Sequence, residues 1–173
     1  DSEIDITSSE ATIDSLDAID EDSIDMTLAS GATINVDASE VTAMLADEGE
    51  GRFTISDQNI TVTGEISVED ANKLNATTTG TITATIEQSS AASLTTLEGT
   101  NAYTITIQAS DTGITASQLT TISNATTVAV DASEVTGLAL DSISNIKTLL
   151  TAGNDSSQFT EDSFGLLAAV EVS

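Results

Sequence analysis

Seven residues, Val36-Asp37-Ala38-Ser39-Glu40-Val41-Thr42, return unchanged 94 positions later as Val130-Asp131-Ala132-Ser133-Glu134-Val135-Thr136. A chain that copies itself is constrained toward one small unit repeated, because such a unit is too thin to bury its own apolar sides and must lie against its neighbours to do so. Weaker copies of the same pattern fill the interval between the two heptapeptides.

Alternation of apolar and hydroxyl residues marks the strands. Ile60-Thr61-Val62-Thr63, Ile82-Thr83-Ala84-Thr85-Ile86 and Tyr103-Thr104-Ile105-Thr106-Ile107 are period-two segments rich in β-branched side chains, with threonine on one face. Shorter alternations occur at Ile4-Asp5-Ile6, Ile24-Asp25-Met26-Thr27-Leu28, Ile34-Asn35-Val36, Val128-Ala129-Val130 and Val170-Glu171-Val172. After most strands come two apolar residues three apart, the spacing of a single helical face: Leu16 and Ile19, Val41 and Met44, Ala71 and Leu74, Leu94 and Leu97, Leu119 and Ile122, Ile143 and Ile146. Ser67 and Thr115 precede two of these segments as helix N-caps.

The second members of these pairs are separated by steps of 25, 30, 23, 25 and 24 residues. The spacing predicts a β-solenoid-like repeat of parallel strands, with a short helix in each coil of about 24 residues. Residues 1–173 then form a single repeat domain: an acidic first coil at 1–23, central repeats at 24–137, and a helical C-terminal cap with a final strand at 138–173. Within the cap, 138–150 is the longest helix candidate, with apolar positions at 140, 143, 146, 149 and 150. Gly64, Gly80, Gly99, Gly113, Gly137 and Gly153 are expected in the turns between elements. An antiparallel β-sandwich is the competing architecture, but it gives no reason for a helix signature at a fixed phase after the strands.

Composition agrees with a narrow stacked interior. Aromatic residues make up 2% of the chain, so Ile, Leu, Val, Ala and Met must fill the core, and the absence of proline permits unbroken hydrogen-bond ladders. Twenty-nine acidic residues face three basic ones, Arg52, Lys73 and Lys147, and the net charge of −26 repels nucleic-acid phosphates and anionic membrane surfaces. No apolar stretch approaches the length needed to cross a bilayer, so neither nucleic-acid binding nor membrane insertion is expected. A start at Asp1, without an initiator Met or a signal-peptide pattern, reads as a processed chain or a piece of a longer one.

The unit from Ile66 to Ile86, with its Ser67 cap, its Ala71 and Leu74 pair and its Ile82-Thr83-Ala84-Thr85-Ile86 strand, resembles tandem repeats in very large secreted or cell-surface proteins of cyanobacteria and other marine bacteria. The phrase Val-Asp-Ala-Ser-Glu-Val-Thr-Gly at 130–137 is similar to repeats in S-layer and RTX-type adhesin regions, although the glycine- and aspartate-rich calcium nonapeptide of RTX repeats is missing. The resemblance covers about residues 24–150 and implies an extracellular or cell-surface setting, with self-association or neighbouring repeats of the same protein as partners. The absence of cysteine fits that setting.

With no His and no Cys, the usual general base, thiol nucleophile and transition-metal ligands are lacking, and a non-enzymatic role is expected. Carboxylate pairs of the glycosidase kind arise by chance among so many acids, and sugar-stacking aromatics are scarce. Calcium is the one ion such a chain is suited to hold, with Asp20, Asp22 and Asp25 as the candidate ligands, but their spacing departs from an EF-hand loop and a solvated acidic face accounts for them more simply. The leading expectation is a structural segment serving as stalk, adhesin spacer or filament module. The alternative is an ice-binding face of outward Thr-x-Thr rows made by Thr61, Thr63, Thr83, Thr85, Thr104 and Thr106.

Overall fold

A computed structural model describes residues 4–6, 10–12, 26–51, 53–108, 110–111, 113–160 and 163. The chain divides into two compact units, Asp1–Thr85 and Ile86–Ser173.

In the first unit the order is β1 (Ile4–Ile6), β2 (Glu10–Thr12), β3 (Met26–Leu28), β4 (Thr33–Asp37), α1 (Val41–Gly49), β5 (Phe53–Thr54), β6 (Asn59–Ile66), α2 (Val68–Thr77) and β7 (Ile82–Ile86). Strands β1, β3 and β5 make one sheet; β2, β4, β6 and β7 make a second, parallel sheet of four strands, and with the helices the unit is an α/β mixture. Alternation decides which side chains enter the core: Ile34 and Val36 of β4 and Ile60 and Val62 of β6 are buried, while Asp37 and Thr63 are exposed. The helices bury the three-apart pairs, Val41 with Met44 in α1 and Ala71 with Leu74 in α2, and α1 packs against α2. Ser67 caps α2, its side chain accepting the Asp70 N–H at 3.0 Å.

Neighbouring strands run parallel and set side by side residues about one sequence period apart. Ile4 lies beside Met26, Glu10 beside Thr33, Met26 beside Phe53 and Thr33 beside Asn59. Parallel neighbours overturn the antiparallel sandwich. Between β6 and β7 the backbones approach so closely that a methyl group on Gly80 would lie 2.2 Å from the Gln58 carbonyl oxygen. The same oxygen accepts the Thr78 hydroxyl at 2.6 Å, and the Thr79 N–H donates to the Ser56 carbonyl at 2.9 Å. Gln58 itself is buried, its amide nitrogen donating to the Ala29 carbonyl at 3.2 Å while its oxygen accepts the Ser56 N–H at 2.8 Å. One buried amide thus joins segments nearly thirty residues apart with its own hydrogen-bonding groups satisfied.

The second unit contains α3 (Ala91–Leu94), β8 (Ala102–Thr104), α4 (Ala116–Asn124) and α5 (Ile143–Gly153). Its strand-like contacts are parallel bridges: Asn101 with Thr126, Thr106 with Asp131, and Val130 with Phe159. Thr126 replaces part of a backbone ladder, its hydroxyl donating to the Tyr103 carbonyl at 2.6 Å and accepting the Tyr103 N–H at 3.1 Å. Helix α4 opens with the expected Thr115 cap, completed as a capping box by Gln118. Helices α3 and α4 pack together, as do α4 and α5.

Several expectations are corrected. The strand β2 is additional to the alternating segments, and β5 adds a second strand within 24–62, where strands beyond one per repeat are expected. Gly64 lies inside β6 with φ 96° rather than in a turn, and the Cβ it lacks would sit 3.2 Å from that of Ala38. The helix expected at 138–150 begins at Ile143, because Ser142 takes an extended conformation and accepts the Asn145 N–H at 3.1 Å, an N-cap that ends the preceding irregular segment. The period-two stretch at 103–107 narrows to β8 and a bridge at Thr106, and that at 128–130 to a bridge at Val130. The pair Leu16 and Ile19 and the strand at 170–172 lie outside the described residues.

Candidate functional site

The repeated heptapeptide is a corner that turns the chain off the end of a strand. In the first copy the Asp37 carboxylate accepts the Ser39 N–H at 2.9 Å and the Ser39 hydroxyl at 2.6 Å, and these two bonds hold its carboxyl below the ordinary carboxylate range. In the second copy Asp131 accepts the Ser133 N–H at 3.0 Å. Both copies bury their two valines, Val36 with Val41 and Val130 with Val135. The two copies diverge within the seven residues: Ala38–Glu40 form a 3-10 turn and α1 starts at Val41, whereas 132–136 hold only a turn at Ser133 and Glu134, and Gly137 follows where the first copy has Ala43.

Where the second corner is not extended by a helix, an open cleft of about 530 Å³ remains, lined by Asp131, Ser133, Glu134, Thr106, Gln108 and Ser110 among others. Its walls are hydroxyls, amides and two carboxylates. Asp131 is fixed through its backbone, donating to the Ile105 carbonyl at 3.0 Å and accepting from the Ile107 N–H at 2.8 Å. The Ser110 hydroxyl donates to the Gln108 side-chain oxygen at 3.0 Å. Such a lining can hydrogen-bond a polyol or a hydrated cation, but it presents no imidazole, thiol or amine to transfer a proton or attack a carbon. The recurrence of the heptapeptide is the one sequence signal pointing here, and it does not single out Gln108 or Ser110.

The threonines of the proposed rows are placed unequally. Thr63, Thr83 and Thr104 are exposed, and Thr61, Thr85 and Thr106 are half-buried. In β4–β6 pairing, Asn35 is the neighbour of Thr61 and Asp37 that of Thr63. The Ile60 N–H donates to the Thr81 carbonyl at 3.0 Å, which in a parallel ladder sets Thr61 beside Thr83 and Thr63 beside Thr85. In the second unit Thr106 has Asp131 as its neighbour. The rows therefore interleave hydroxyls with an amide and carboxylates.

Asp20, Asp22 and Asp25 lie outside the described residues. Among the described residues no three His, Cys, Asp or Glu side chains converge as a metal-ion set, and no helix is long and apolar enough to cross a membrane. Lys73 is engaged locally, with Glu69 at 2.8 Å and Asp70 at 3.4 Å along α2. The chain matches no protein-family model, and comparison with curated proteins and solved structures returned no match.

Proposed function

We propose that this chain is a non-enzymatic structural repeat segment of an extracellular or cell-surface protein, a stalk, spacer or assembly module built as a β-solenoid. One observation carries the reading: strand neighbours are separated by one sequence period wherever a parallel pair forms, from Ile4 with Met26 to Thr106 with Asp131. Successive coils laid over one another produce that arithmetic, and a rigid spacer needs nothing beyond it. The extracellular setting draws support from the likeness of residues 66–86 and 130–137 to surface-protein repeats, with which the lack of cysteine fits.

The test is a deletion in register. Thr33 and Asn59 are equivalent positions in adjacent strands, so removing 33–58 excises one coil and joins matching ends. A stack loses one layer and keeps a cooperative melt with unchanged secondary-structure proportions; removing 33–45 puts every later coil out of phase and unfolds the unit. Equal damage from the two deletions sinks the solenoid. Calcium is tested separately, by melting the chain with and without millimolar calcium and repeating the measurement after Asp20, Asp22 and Asp25 are changed to Asn.

A further inference from the structure

In the second unit, helix starts are completed by carboxylates from the next coil. Asp111, ahead of α4, accepts the Ala91 N–H at the start of α3 at 3.1 Å. Asp141, ahead of α5, accepts the Ser117 N–H in the first turn of α4 at 2.8 Å. The first N–H groups of a helix have no partner within it, and a carboxylate placed there also meets the positive end of the helix dipole. At α5 the succession stops. Ser142 satisfies the Asn145 N–H, but the N–H groups of Ile143 and Ser144 receive no acceptor among the described residues.

Helix α5 and the segment before it carry exposed apolar side chains. Leu140 is 101%, Ile143 79% and Leu150 42% exposed, the exposed large hydrophobic residues among those described. Ile143, Lys147 and Leu150 succeed one another at helical spacing along one stripe of α5. Lys147 is exposed and makes no ion pair among the described residues, in a chain of net charge −26. The surface thus lacks the apolar cover that α4 obtains from α5, while at the helix start Asp141 accepts the Ser142 N–H at 2.7 Å and leaves those of Ile143 and Ser144 without an acceptor among the described residues.

We propose that a second copy of this chain docks on the open side of α5, covering Leu140, Ile143 and Leu150 with its own coil and bringing carboxylates to the α5 N-terminus and to Lys147. The contact continues the α3–α4–α5 packing, and charge selects the occupant, since an acidic surface is what a copy of this chain presents. It is heterologous: two α5 faces set against each other would oppose Lys147 to Lys147, whereas an acidic surface opposite α5 pairs it. This inference stands on α5 alone and does not require that the whole chain be a rod.

The experiment uses the full chain at 150 mM salt, where a Debye length of about 8 Å suppresses repulsion between the net charges of two copies but not a contact pair. Sedimentation is run up to about 100 μM, a range that detects weak interfaces, alongside zero-length carbodiimide crosslinking of a mixture of ¹⁴N- and ¹⁵N-labelled chains. The expected result is concentration-dependent association, with mixed-isotope crosslinks joining Lys147 to an Asp or Glu. Ile143→Asp, at a position too exposed to affect folding, is expected to abolish association. Lys147→Glu should weaken it at least fivefold, and Lys147→Arg should retain it. A chain that stays monomeric, or oligomers that survive Ile143→Asp, or crosslinks between copies that omit Lys147, would each overturn the proposal. Loss of the rod in the deletion test would leave these outcomes unchanged.

Discussion

Gly80→Ala is the most demanding test of how closely the segments leading into β6 and β7 approach. The added methyl carbon would sit 2.2 Å from the Gln58 oxygen, 2.6 Å from its carbonyl carbon and 2.9 Å from the Asn59 nitrogen. All three are backbone atoms, so no rotamer change can relieve the overlap. Reaching ordinary contact near 3.5 Å requires the two segments to part by about 1.3 Å. Overpacking of this kind costs about 1–3 kcal/mol. Parting the segments also strains the bonds from the Thr78 hydroxyl to Gln58 and from the Thr79 N–H to Ser56, each with a net value of about 1 kcal/mol. The sum is about 3–5 kcal/mol, which for a chain of this size lowers the melting temperature by about 10 °C. Circular dichroism melts would read it, with Gly113→Ala and Gly137→Ala as controls, since a methyl group at either meets nothing within 4 Å. The controls should be neutral or slightly stabilising. A Gly80→Ala chain melting within about 2 °C of the parent would refute the close approach.

Three further outcomes are expected. Thr126→Val keeps the shape of a buried side chain but removes the hydroxyl that bonds the Tyr103 N–H, the Tyr103 carbonyl and the Val128 N–H; a loss of about 2–4 kcal/mol should appear in urea denaturation. Bonds from the Ser117 N–H, then the Asn145 amide and the Ser142 N–H, hold the Asp141 carboxyl below its usual range, so its contribution is present above the unfolded-state value near 3.8 and is lost as pH falls through the lower folded-state value. The melting difference between the parent and Asp141→Asn should accordingly shrink below about pH 4. Burial pushes the Tyr103 phenol up to about 12, against a small opposing effect of Asn101; its contribution is complete below pH 10 and lost as pH rises toward 12, and Tyr103→Phe should flatten that alkaline decline.

Much of the local architecture is legible in the sequence because it rests on near-neighbour patterns. The alternation in Ile82-Thr83-Ala84-Thr85-Ile86 becomes β7 without change of bounds, and Ser67 and Thr115 cap the helices that their positions predict. Phe53–Thr54 escapes such a reading because two residues carry no period, and Glu10–Thr12 because its alternation is too short to stand out. The apolar residues at 138–143 suggest an inward helical face, yet the deciding local preference is the cap at Ser142, which leaves Leu140 outside the helix. The cleft beside Asp131 is hidden for a related reason: identical heptapeptides read alike, yet Val41 opens a helix and Val135 does not, so residues outside the seven set the difference. The carboxylates of Asp111 and Asp141 resemble solvated charges in the sequence, since the N–H groups they accept belong to residues 91 and 117.

Those two carboxylates also impose an order on synthesis. Ala91 leaves the ribosome before Asp111, and Ser117 before Asp141, so these helix starts must wait for 20 and 24 more residues before their acceptors arrive. In the second unit the growing chain therefore carries one unfinished helix start at a time, that of α3 until Asp111 emerges and that of α4 until Asp141 does, which gives the completion of these two helices a direction from the N-terminal side to the C-terminal side.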